Sequence, residues 1–151
     1  MHRYLEERQE LLRASVPGIS SARRLSRVTD EMLRELARDA AARLLPADVG
    51  WSLVALGGYG AGALLPSSDL DLLVISNAPA ATLKPFVEAI LYPLWDSGLS
   101  VGHQVRSKRE QLSSARADLA TLTATLTGRV LAGDEALGRD VLVACAADTA
   151  K

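Results

Sequence analysis

The sequence predicts an α+β fold, a small mixed sheet packed with helices from both ends of the sequence, and three observations carry that reading. Helical periodicity fills the first 45 residues and returns after about residue 107. Between them lie three short apolar runs bounded by turn residues, with one helical stretch before the third. A hydrophobic fraction of 48% against 23% charged residues is that of a globular chain, and 4% aromatics leave an aliphatic core of Leu, Val and Ala. With 151 residues the chain has the length of one domain. Its expected parts are a helical lead-in over about 1–45, a catalytic core over about 51–106 and a helical tail over about 107–148.

Arg3 to Ala14 is a short helix rich in Leu, Glu and Arg that ends before Val16-Pro17-Gly18. A second helix starts at Ser20 or Ser21 as cap. Leu25, Val28, Met32, Leu33, Leu36, Ala40 and Leu44 give it an amphipathic stripe, and Pro46 ends it. Trp51 to Leu56 is a buried strand, and a glycine turn leads to a second strand from about Asp69 to Ile75. A helix over about Ala80 to Trp95 follows, containing Pro85 and Pro93. Asp96-Ser97-Gly98 turns into a third strand, Leu99 to Arg106. From Ser107 to about Leu131 the pattern is helical, broken near Ser113-Ser114, and Gly133-Asp134 opens a last helix of about ten residues. Trp51 and Trp95 are expected in the core.

Charge and cysteine usage narrow the function classes. A net charge of −1 provides no footprint for long nucleic acid and favours a small anionic ligand at a local site. Cys145 is alone, which excludes an intramolecular disulfide and a cysteine zinc site; within Val141 to Ala146 it is expected as a buried thiol. The N-terminus is too charged for a signal peptide, and no apolar run approaches the ~20 residues of a membrane span, so the expected location is cytoplasmic.

The chemistry concentrates in Leu56-Gly57-Gly58-Tyr59-Gly60-Ala61-Gly62 and Pro66-Ser67-Ser68-Asp69-Leu70-Asp71. Strand residues i and i+2 share a face about 6.6 Å apart, so Asp69 and Asp71 project together while Leu70, Leu72 and Val74 face the other way. Two carboxylates on one face need a cation, and Mg²⁺ binds through one or two carboxylates plus substrate phosphates. Gly57 and Gly58 let the backbone approach phosphate oxygens, and Ser67 and Ser68 add hydroxyl donors. A phosphate nest beside a metal pair is the equipment of nucleotidyl transfer.

At these residues the chain resembles the DNA polymerase β-like nucleotidyltransferase superfamily. It is most similar to the variant in bidirectional PII uridylyltransferases (adenylyltransferases in some bacteria), with the pattern G-G-[FY]-G-R-G-E-L-x-P-x-S-D-[IVL]-D-L-[LV]. Leu91 to Leu99, Val101 to Arg106, Ala117-Asp118-Leu119 and Arg129 to Asp134 continue the resemblance over about residues 25–137. It implies a polymerase β-like fold and transfer of UMP or AMP from UTP or ATP to a tyrosine of a PII nitrogen-signalling protein, with Mg²⁺ on Asp69 and Asp71. Ala61 and Ala63 stand where the family has Arg and Glu. That departure supports a rival reading, a weakened or silent nucleotide-binding or interaction module. A stand-alone transferase with another acceptor is a third.

Full-length members carry HD-type and ACT domains. None is expected here, because the chain is short and has only His2 and His103 for an HD metal centre; it is expected to be a fragment, a truncated product or a stand-alone domain. The expected third strand holds no carboxylate; Asp96 and Glu110 flank it, and Asp118, matching a family Asp, is the favoured accessory. Arg106 is a candidate phosphate ligand. His103 is expected to be structural and Tyr59 to pack.

Overall fold

The computed structural model describes residues 1–14 and 18–148. Helix α1 spans His2–Arg13 and α2 spans Ile19–Leu44. Val16 and Pro17, expected to separate them, lie outside the described residues. Helix α2 starts ahead of the expected serines because Gly18, in extended conformation, serves as its N-cap. It stops where Leu45 takes φ −103°, ψ 139°, the extended state that Pro46 forces on its predecessor.

Strand β1 (Trp51–Ala55) runs antiparallel to β2 (Leu70–Ser76), and a four-residue helix α3 (Gly57–Gly60) lies between them in sequence. Helix α4 (Ala80–Asp96) carries the chain back so that β3 (Val101–Arg106) joins β2 in parallel. Pro93 does not interrupt α4. It ends instead at Gly98, where φ is 75°: the N–H of Gly98 donates to Trp95 and that of Leu99 to Leu94, the Schellman pattern. Helices α5 (Lys108–Ala117) and α6 (Leu119–Leu126) follow, then β4 (Arg129–Gly133) and α7 (Glu135–Asp148). The sheet order is β3-β2-β1-β4, with β4 antiparallel to β1.

Two elements depart from the sequence reading. Residues expected to close a long helix form β4 instead, a bulged strand whose register shifts between Leu53 and Val54 of β1. The helical break falls at Asp118, not at Ser113-Ser114, because the Asp118 carboxylate accepts the N–H groups of Ala120 and Thr121 and starts a new helix.

The sheet separates two cores. Leu53, Ala55, Leu70, Leu72 and Val74 pack with Leu25, Leu33, Phe86 and Ile90 of α2 and α4. Val54, Leu73 and Ile75 pack with Ala115, Val141 and Cys145 on the other face. The period-two alternation of β2 thus sends Leu70, Leu72 and Val74 to one core, and Leu73 and Ile75, on the Asp71 side, to the other. Burial of each Leu or Ile contributes roughly 1.5–3 kcal/mol, so both faces are firmly held beyond Asp71. Cys145 is fully buried, as expected. Trp51 packs on Phe86 with ring centroids 5.0 Å apart. Trp95 is 42% exposed, contrary to expectation; the rings of Tyr92, at 5.9 Å, and of His103 on edge strand β3, at 5.8 Å, lie against it. Among the described residues no helix is long and apolar enough to cross a membrane.

Candidate active site

Leu56 leaves β1 and donates its N–H to the carbonyl of Asp71 at 2.9 Å, which fixes the glycine loop beside that aspartate. Gly57 then turns with φ 59°, a conformation that side-chain-bearing residues rarely adopt. A Cβ on Gly57 would lie 3.3 Å from Asp71 Oδ2, and one on Gly102 would lie 2.6 Å from Asp71 Oδ1. Gly102 is the register partner of Asp71 in the parallel pair, so the two share a face of the sheet. Asp71 therefore sits between two glycines, one against each oxygen.

The Asp71 carboxylate opens into a cleft of about 390 Å³ that Leu56, Gly102, Gln104, Asp118 and Thr121 also line. Burial and the nearby Asp69 charge push the Asp71 carboxyl above its usual range. Hydrogen bonds from Thr121, and to a lesser degree the Arg106 charge, hold that of Asp118 below it. Arg106 also donates to Gln111 Oε1 at 2.9 Å. Thus Asp69, Asp71, Gly57 and Asp118 gather at one end of the sheet, whereas Arg106, the register partner of Ile75, stands at the other end of β3 and does not line the cleft. Ser67 and Ser68 do not line the cleft; they lie on an exposed turn whose Pro66 carbonyl accepts from Arg8 at 2.9 Å. Gly58 is exposed on the loop. Glu110 is committed elsewhere, closing a capping box with Ser107 at the start of α5.

Neither Asp69 nor Asp71 has an ion-pair or hydrogen-bond partner on a side chain among the described residues, which leaves their repulsion uncompensated. No cluster of three His, Cys, Asp or Glu suited to a metal occurs among those residues either. Two unpaired oxygen donors at an open cleft fit a hard dication whose remaining ligands are phosphate and water.

A buried constellation that the sequence reading missed holds the loop from behind. The Tyr59 hydroxyl donates to Asp30 Oδ1 at 2.7 Å, and Arg129 grips both Asp30 oxygens at 2.5 and 2.8 Å. Arg129 also donates to the carbonyls of Gly60, at 3.0 Å, and Tyr59, at 3.2 Å, with its guanidinium 5.1 Å over the Tyr59 ring. Burial and the Asp30 carboxylate push the Tyr59 hydroxyl far above its ordinary range, so Tyr59 is a fixed neutral donor. The signal was Asp30 itself: with Ser26 and Thr29 it places polar groups on the buried stripe of α2, and a buried carboxylate requires a partner. Ala61 and Ala63, which follow the clamped Gly60 in sequence, are exposed.

No family model matches the chain. A curated bifunctional uridylyltransferase/uridylyl-removing enzyme of Gluconobacter oxydans is 42% identical over 142 residues, 93% of this chain and 15% of that enzyme. Enzymes of the same name from Bradyrhizobium sp. (strain ORS 278) and Bordetella parapertussis are 44% and 43% identical over 80% and 75% of the chain, and 14% and 13% of their own length. A solved toxin-antitoxin structure with AMP-PNP covers 77% of this chain and 86% of its own, with 14% identity and a TM-score of 0.46, a likeness too slight to carry weight. The chain spans about a seventh of the length of these curated relatives. At 42–44% identity over three-quarters or more of its length, it is a relative of the bifunctional uridylyltransferase/uridylyl-removing enzymes and corresponds to their nucleotidyltransferase domain.

Proposed function

We propose that the chain is a nucleotidyltransferase domain that transfers UMP or AMP from UTP or ATP to a tyrosine hydroxyl of a PII nitrogen-signalling protein, releasing pyrophosphate. The observation that carries this reading is Asp71, set between Gly57 and Gly102 at the mouth of a cleft shared with Asp118. Asp69 and Asp71 would hold Mg²⁺, which when bound neutralises phosphate charge and polarises the α-phosphate. The loop backbone at Gly57 and Gly58 approaches the triphosphate, with Ser67 and Ser68 as hydroxyl donors from the neighbouring turn. Arg106, four residues beyond the register partner of Asp71 on β3, contributes positive charge near Asp118 as a phosphate ligand of longer reach. Asp118 orients groups at the far wall through the cap it forms with Thr121.

The tyrosine oxygen bonds to the α-phosphorus as the bond to the bridging oxygen of the β-phosphate breaks. The hydroxyl proton leaves to solvent or a cleft carboxylate. Positioning and charge neutralisation supply most of the rate. Removal of the nucleotide is not proposed for this chain, since His2 pairs with Glu6 on α1 while His103 meets the Trp95 ring edge-on.

Ala61 and Ala63 favour a second reading, a module that binds nucleotide without transferring it. Incubation with labelled UTP or ATP, Mg²⁺ and PII separates the two. Labelled PII, lost in Asp69→Asn/Asp71→Asn, supports transfer. Binding without label on PII supports the silent module, and equal labelling by the double variant refutes the site.

A further inference from the structure

We infer that the outer side of the glycine loop carries a second anion site, separate from the aspartate cleft, that takes a di- or triphosphate group. A cavity of about 740 Å³ is lined there by Ser20, Arg23, Arg27, Asp30, Gly62 and Arg129, among others. Arg23 and Arg27 stand one helical turn apart on α2 and are exposed. Neither makes an ion pair or hydrogen bond among the described residues, whereas their neighbour Arg24 bonds Glu7 at 3.0 Å. The one carboxylate in the lining, Asp30, is already satisfied by Tyr59 and by both arms of Arg129. Two unpaired guanidiniums, those of Arg23 and Arg27, therefore face a space in which the lining carboxylate is neutralised by Arg129.

Like charges four residues apart on a helix repel, so an occupant that bridges them is favoured. Guanidinium forks match phosphate oxygens in pairs, and an anion with charge spread over several oxygens meets both arginines of α2 at once. The space exceeds one phosphate and admits a longer chain of them. Arg129 gives the site a connection to the loop, since it also holds the carbonyls of Tyr59 and Gly60. An anion seated beside Arg129 therefore lies against the clamp that holds the glycine loop.

The test is calorimetric titration with inorganic pyrophosphate in EDTA, so that no metal bridges it to the aspartates. The parent chain should bind saturably. Arg23→Gln/Arg27→Gln, which alters two exposed unpaired side chains and should melt like the parent, should bind at least about 10-fold more weakly, a change of about 1.4 kcal/mol. Asp69→Asn/Asp71→Asn should bind within about twofold of the parent, a result independent of whether nucleotide transfer occurs. UTP in place of pyrophosphate identifies the source: tighter binding indicates the tail of a nucleotide, equal binding a free anion. Absence of saturable binding, equal affinity in the arginine variant, or a matching loss in the aspartate variant would overturn the site.

Discussion

At the scale of single residues, Asp71 is where fold and proposed chemistry conflict. Its folded pKa is raised, so between the ordinary carboxylate range and that raised value the folded state binds more protons than the unfolded chain. Stability of the metal-free protein therefore falls as pH rises through this window. Asp71→Asn should remove that slope and leave the metal-free protein slightly more stable at neutral pH, by less than about 1 kcal/mol because solvent screens the site. Thermal melts across pH 3–7 with and without Mg²⁺ test this; a melting gain from Mg²⁺ that survives in the variant would refute the metal assignment. Gly102→Ala should have the opposite profile. Its Cβ meets only the terminal oxygen of Asp71, at 2.6 Å, so the carboxylate can swing aside at small cost in stability. Displacement of that oxygen should lower transfer by about 10- to 100-fold with the melting temperature nearly unchanged. The i, i+2 spacing of Asp69 and Asp71 is readable in the sequence, although β2 begins only at Leu70 and Asp69 precedes it. The importance of Gly102 is not readable there, because it comes from a register between β2 and β3 that no local pattern specifies.

At the scale of elements, the turns and caps show which signals in a sequence are local. Ser107-x-x-Glu110 and Gly98 act through neighbours within a few residues, and both behave as their chemistry dictates. Strand β4 escaped because only Val130, Leu131 and Ala132 mark it, and its hydrogen bonds go to a strand nearly eighty residues earlier. Asp118 belongs to both categories, since it caps α6 and lines the cleft. Two substitutions separate those roles. Asp118→Ser retains an N-cap acceptor without the charge, and Asp118→Ala removes both. If the carboxylate serves the proposed reaction, both variants should lose transfer while only the alanine variant melts earlier. Full transfer in the serine variant would confine Asp118 to capping.

At the scale of the whole molecule, the site depends on a sheet gripped from both faces. The clamp of Asp30, Tyr59 and Arg129 ties α2 to the glycine loop and β4, and α7 closes the opposite face over Ser52 and Val130. Helix α7 approaches the sheet through Gly138, where a Cβ would lie 2.3 Å from Ser52 Oγ and 2.6 Å from Val130 Cγ2. Ser52 Oγ is itself buried without a hydrogen-bond partner among the described residues, so it contributes bulk at this seam and no compensating bond. Gly138→Ala should overpack the seam and cost about 1–3 kcal/mol, a fall in melting temperature of several degrees for a chain of this size. Ser52→Ala alone should be close to neutral, because it removes an unsatisfied hydroxyl along with a little packing. Combined with Gly138→Ala it should recover part of the loss, since the 2.3 Å clash disappears while the Val130 contact remains. The cycle of four melts yields a coupling energy between the two positions of about 0.5 kcal/mol or more. Strict additivity would show that α7 shifts as a body to admit the methyl, and that the second face of the sheet is held less tightly than the first.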